Sequence, residues 1–123
     1  DAGMMTICDA KVADEYREFL DQWYQENPGK NHYDDYFAAF FAQSYEMFPA
    51  YQREGGDFIT WINPIRHRNM VMVASGFGDG FYQSYIGYDE NEEICQIIVP
   101  MVNPDLFEDN DTGGQKSWSG WKQ

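Results

Sequence analysis

A chain of 123 residues, 43 % hydrophobic and 18 % aromatic, has the length and apolar content to bury a real core. Its 21 acidic residues against eight lysines and arginines give a formal charge of −13. That balance argues strongly against binding to a nucleic-acid backbone or an anionic membrane surface, since both need clustered cations.

Residues 3–8 form a short, partly β-branched apolar run that reads as a strand, and Asp9 stands where a helix N-cap belongs. From residue 10 to about 25, Val12, Ala13, Tyr16, Phe19, Leu20 and Trp23 recur at helical spacing. Asp14, Glu15, Glu18, Asp21 and Gln25 lie opposite them, and Asn27-Pro28-Gly29 stops the helix. A second helix is expected from about His32 to Phe48, capped by Asn31. Its inner face would be Tyr33, Phe37, Phe40, Phe41, Ser44 and Phe48, and Pro49 marks its end.

After a polar connection over residues 51–56 the pattern changes to strands over 57–63, 69–75, 81–88 and 94–102, joined by turn-rich links. Residues 70–74 are apolar throughout, which predicts a central strand covered on both faces. The run 81–88 alternates, setting Tyr82 and Tyr88 on the face opposite Tyr85, and Pro100 suits a strand end. The order β-α-α-β-β-β-β predicts an α+β fold, two helices packed on a mainly antiparallel meander sheet. Residues 1–102 are expected to form one domain. Residues 103–123 form a partly ordered tail, acidic and then Gly/Ser-rich, with Trp118 and Trp121.

Cys8 and Cys95 show no metal spacing and sit in apolar runs, so both read as reduced core thiols. With no membrane-length apolar run and no signal-peptide pattern, a cytoplasmic protein is expected.

Three segments carry a resemblance. They are Asp1-Ala2-Gly3 with Cys8-Asp9-Ala10; Tyr33-Asp34-Asp35-Tyr36-Phe37 with Tyr51-Gln52-Arg53-Glu54-Gly55-Gly56-Asp57; and the run from Ser75-Gly76-Phe77-Gly78-Asp79-Gly80 to Gly87-Tyr88-Asp89. Together they resemble the C-terminal part of bacterial domain-of-unknown-function family 4241. The resemblance implies fold and bacterial origin, and that a further N-terminal portion belongs to the family, which makes this chain the expected C-terminal domain of a longer protein. It carries no catalytic residues over. The chain departs from the pattern at Asn91-Glu92, where glycine often follows the asparagine of the hairpin turn.

Several constellations have chemical potential. Asp79, held between Gly78 and Gly80, can act as a base or simply cap its own turn. Arg66-His67-Arg68 is the basic cluster of an acidic chain, suited to an anion contact or to blunting a hairpin tip. The helix acids Glu15, Glu18 and Asp21 repel one another at i,i+3 spacing, which marks a surface presented to a cationic partner or an ordinary solvated face. Tyr82 and Tyr88 are candidates for an aromatic interface. The acidic loops 89–93 and 109–113 lack the bidentate glutamate of a calcium loop, and two histidines, His32 and His67, are few for a zinc site. No metal or cofactor is expected. The leading expectation is a non-catalytic interaction module binding another, basic polypeptide, an immunity-type role or the protein's own N-terminal part included. The alternative is a small hydrolase or ligand-binding enzyme domain using Asp79 with His67.

Overall fold

The computed structural model describes residues 3–102. The tail 103–123, with the loop 109–113, Trp118 and Trp121, lies outside the described residues, as do Asp1 and Ala2. The chain falls into two compact units, Asp1–Gly78 and Asp79–Gln123. The fold is α+β, and helices and strands follow the expected order. No helix among the described residues is long and apolar enough to cross a membrane.

In the first unit, β1 (Met4–Met5) leads to α1 (Ala10–Glu26). Asp9 caps that helix by accepting the Lys11 N–H at 2.8 Å. Asn27 ends it, its own N–H and side-chain amide both donating to the Trp23 carbonyl. The second helix opens with a π-helical turn, Tyr33–Phe37, before α2 (Ala38–Met47) and a 3-10 turn, Pro49–Tyr51. Asn31 is its cap: Oδ1 accepts the N–H groups of Tyr33 and Asp34, while Asp35 returns the contact by accepting the Asn31 N–H. The wide π turn changes which residues face inward. Tyr36 packs on the core, whereas Phe40 and Phe48, expected inside, stay partly exposed.

β2 (Phe58–Ile62) and β3 (Asn69–Ala74) form an antiparallel hairpin, and β1 pairs on the other side of β3. The sheet order β1-β3-β2 makes β3 central, as its apolar run predicts. Its register sets Ile59 opposite Met72 and Trp61 opposite Met70, and these four point toward the helices. Phe19, Trp23, Phe37 and Phe41 complete the buried cluster. Ring packing orders this core: Phe19 and Trp61 centroids are 4.9 Å apart, Phe37 and Trp61 5.4 Å, and the Trp61 indole donates to the Tyr36 hydroxyl. Burial pushes the Tyr16 phenol up to about 12.

The expectation that both faces of residues 70–74 are covered is corrected, since Val71 is 49 % exposed. The first strand is also shorter than residues 3–8, because the chain turns from the sheet after Met5 toward the helix cap. Cys8 therefore lies in an exposed connection, and the expectation of a core thiol fails there.

The second unit contains the hairpin of β4 (Tyr85–Tyr88) and β5 (Ile94–Ile98). Asp89 organises its turn, Oδ1 accepting the N–H groups of Asn91 and Glu93. Glu92 adopts the left-handed φ of 62° at the position where the family pattern has glycine. A bulge follows: Gly87 pairs with Gln96 and Tyr88 with Ile94, leaving Cys95 as the extra residue. Cys95 is exposed, so the second core-thiol expectation fails too. Strand β4 begins at Tyr85 rather than residue 81, so Tyr82 precedes the strand and has no strand face in common with Tyr88.

Candidate functional site

The sequence singled out an acidic helix face and a basic cluster as separate surfaces. They are partners. Asn63, 3 % exposed at the end of β2, ties the β2–β3 tip to α1. Its Nδ2 donates to the Glu15 carbonyl at 3.1 Å, and its Oδ1 accepts the N–H groups of Ile65 and Arg66. His67 completes the tip with a left-handed φ of 56° and donates its N–H to the Asn63 carbonyl.

This geometry aims the two arginines back at the helix. Arg66 forms a fork on Glu18, Nε to Oε2 at 2.9 Å and Nη2 to Oε1 at 2.7 Å. Arg68 Nε lies 3.0 Å from Glu15 Oε2, an ion contact without hydrogen-bond alignment, on a carboxylate whose side chain is only 12 % exposed. The like-charge cost along the helix is thus offset across 48 residues of sequence, and Arg17 on Asp14 adds a local pair. Asp21 is exposed and takes part in none of these pairs. The His67 side chain is exposed and makes no hydrogen bond or ion pair among the described residues. Asp79 opens the second unit, with Tyr82 half-buried and Tyr88 46 % exposed there.

Sequence reasoning missed a cleft of about 540 Å³ in the first unit, where Gly3, Tyr33, Arg53, Gly56, Asp57 and Ser75 meet. Gln52 holds one wall of it, the 53–57 link, against α2. Its Nε2 donates to the Ser44 carbonyl, and its Oε1 accepts the Asp57 N–H at 2.8 Å. Gly56 backs so closely onto α2 that a Cβ there would stand 2.1 Å from the Phe41 carbonyl oxygen. Ser75 is buried; its N–H donates to the Gly3 carbonyl and its hydroxyl to that of Gly78. The cleft's cation is spent internally, since Arg53 donates through Nε to Asp57 Oδ1 at 2.8 Å. That bond holds the Asp57 carboxyl below its ordinary 3.8.

All four arginines of the chain are therefore paired with carboxylates: Arg17, Arg53, Arg66 and Arg68. The anion contact expected of Arg66 and Arg68 is already supplied by α1. Among the described residues no group of three or more His, Cys, Asp or Glu side chains is placed to hold a metal.

The outer face of the sheet is the remaining feature. Phe58 and Ile62 of β2 and Val71 of β3 point away from the helices at 36, 61 and 49 % exposure. Phe48 extends this surface, its ring 6.3 Å from Phe58. β2 is the outer strand of the sheet and pairs only with β3 among the described residues.

A family model described as a protein of unknown function, DUF4241, matches residues 1–99. No curated protein and no solved structure matches the chain.

Proposed function

We propose that this chain, which belongs to the DUF4241 family of proteins of unknown function, is a non-catalytic interaction module that binds a cationic polypeptide in extended form. The observation that carries the reading is the outer face of the β1-β3-β2 sheet. An antiparallel sheet packed on one side ordinarily shows water a polar face. This one shows Phe58, Ile62 and Val71 alongside Thr60 and Asn69, beside a β2 edge that no strand among the described residues pairs with. A peptide strand added to β2 satisfies that edge through main-chain hydrogen bonds and lays alternate side chains on the apolar surface.

Charge defines the partner. With every arginine spent on a carboxylate and a formal charge of −13, attraction favours lysine- or arginine-rich chains and disfavours nucleic acid and anionic membranes. An immunity-type role against a basic protein is one form of this reading, and the family's N-terminal part is another occupant of the same kind. A cytoplasmic setting, in which Cys8 and Cys95 stay reduced, belongs to it.

The test uses two labelled ten-residue peptides, one alternating lysine with valine and one alternating glutamate with valine, read by fluorescence anisotropy. The lysine peptide is expected to bind, to weaken with added salt, and to lose affinity when Ile62 or Val71 is changed to lysine. Equal binding of both peptides, or indifference to Ile62→Lys and Val71→Lys, overturns the reading.

A further inference from the structure

Three of the chain's six methionines, Met4, Met70 and Met72, share one sheet face beside a cavity of the first unit, whose edge Met5 also reaches. Its volume is about 260 Å³, and it is lined by Met4, Met5, Met70 and Met72 together with His32, with Tyr16 and Leu20 of α1 as walls. The sheet register explains the convergence. Met4 pairs with Ala74, so it shares the helix-facing side of the sheet with Met72 and Met70. Met70 and Met72 are buried, at 2 and 3 % exposure, while Met4 and His32 are partly accessible. The cavity thus has a closed floor and an open mouth.

Leucine and isoleucine are the usual fillers of such space, because their rotamers specify packing better than methionine does. Here methionine side chains border a volume that is left open. Thioether sulfur is a soft, neutral donor that favours Cu(I), whereas calcium and magnesium demand hard oxygen ligands. No carboxylate lines the cavity. His32 adds an imidazole held in a fixed orientation. Its Nδ1 is hydrogen-bonded with the Tyr24 hydroxyl and its ring packs on Phe37. Its Nε2 has no hydrogen-bond partner among the described residues. A second-sphere bond to one ring nitrogen is the usual means of presenting the other to a metal.

We propose that this cavity is a Cu(I) site, with the thioethers of Met4, Met70 and Met72 and the imidazole Nε2 of His32 as ligands. A d¹⁰ ion imposes no strict geometry, so a mixed sulfur–nitrogen set held by a sheet and a loop is adequate. The site is separate from the outer sheet face and independent of what binds there.

Thiolates are themselves strong Cu(I) ligands, so with Cys8 and Cys95 exposed the full chain is tested as the Cys8→Ser/Cys95→Ser variant. Cu(I) is offered anaerobically as its labile acetonitrile complex, loosely held copper is removed by gel filtration, and the copper retained by the chain is measured by atomic absorption. One equivalent is expected to move to the protein. Met4→Leu and Met72→Leu conserve volume, so the fold is kept while a donor is lost; each should weaken retention by at least about tenfold, as His32→Gln should. Met47→Leu, at an exposed position on α2, serves as control and should change nothing. Failure of the thiol-free chain to retain copper through gel filtration overturns the proposal. Retention in the Met4→Leu and Met72→Leu variants as tight as in the parent overturns it equally.

Discussion

Gly55 and Gly56 are neighbours with nearly the same backbone conformation, φ of 95° and 91°, yet they differ in what surrounds them. A Cβ on Gly55 meets nothing within 4 Å. A Cβ on Gly56 would stand 2.1 Å from the oxygen and 2.6 Å from the carbon of the Phe41 carbonyl. Alanine at either site carries the conformational cost of positive φ, about 1–2 kcal/mol. Both substitutions also lower unfolded-chain entropy by a similar amount, which cancels in the comparison. At Gly56 a further term appears. Ordinary non-bonded contact needs roughly 3.5 Å, so the backbone at Phe41 must retreat by about 1 Å or more. Phe41 belongs to α2 and is fully buried with its ring against Tyr33, so a retreat of its carbonyl disturbs the packed core. Such overpacking costs about 1–3 kcal/mol, sometimes more.

The expected losses are therefore about 1–2 kcal/mol for Gly55→Ala and about 2–5 kcal/mol for Gly56→Ala. For a unit of this size, a gap of about 2 kcal/mol separates the two melting temperatures by roughly 8–16 °C. Thermal unfolding followed by far-ultraviolet circular dichroism, with urea titration read by tryptophan fluorescence, measures the pair. Equal destabilisation of the two variants, within about 0.5 kcal/mol, would refute the close approach of the 51–56 link to α2 and with it the described shape of the cleft.

Two further outcomes test how the charged side chains are placed. Asn63→Asp keeps the acceptors for the Ile65 and Arg66 N–H groups but loses the donor to the Glu15 carbonyl and adds a carboxylate beside it; urea unfolding should show a loss of about 2 kcal/mol, and an unchanged midpoint would count against the tip-to-helix tie. Because Arg53 depresses the Asp57 carboxyl, its contribution is fully present above the unfolded value of 3.8 and disappears as pH falls below it, so the stability gap between the parent and Asp57→Asn should shrink between pH 5 and about pH 2.5; a gap constant over that range would show that Asp57 acts without its charge.

Local pattern carried most of the architecture. The helical face from Val12 to Trp23, the Asp9 and Asn31 caps and the central position of β3 all follow from short-range periodicity and capping chemistry. The π turn at Tyr33–Phe37 was not legible, because a run of aromatics at positions 33, 36, 37, 40 and 41 satisfies more than one helical period. Packing then decided which rings face inward. The cysteines failed for a related reason: apolar neighbours suggested burial, but Cys8 follows a two-residue strand and Cys95 is the extra residue of a bulge. Neither feature leaves a mark in a single sequence.

The candidate surfaces show where sequence reading stops and why. Repelling carboxylates along one helix face look uncompensated when only neighbours within four residues are counted. Arg66 and Arg68 lie about 50 positions away and reach Glu18 and Glu15 only because a buried asparagine folds the hairpin tip onto that face. A charge pattern thus becomes a binding argument only after internal partners have been subtracted. That subtraction removes the arginines as anion contacts and two of the three helix acids as open sites. It leaves a net-negative molecule whose least explained surface is apolar and strand-edged. Attraction over distance and adhesion at contact are then supplied by different features, the first by charge and the second by Phe58, Ile62 and Val71. Adding salt should accordingly slow association while leaving dissociation largely unchanged, whereas Val71→Lys should mainly hasten dissociation; the reverse assignment would mean that charge, not the sheet face, holds the partner.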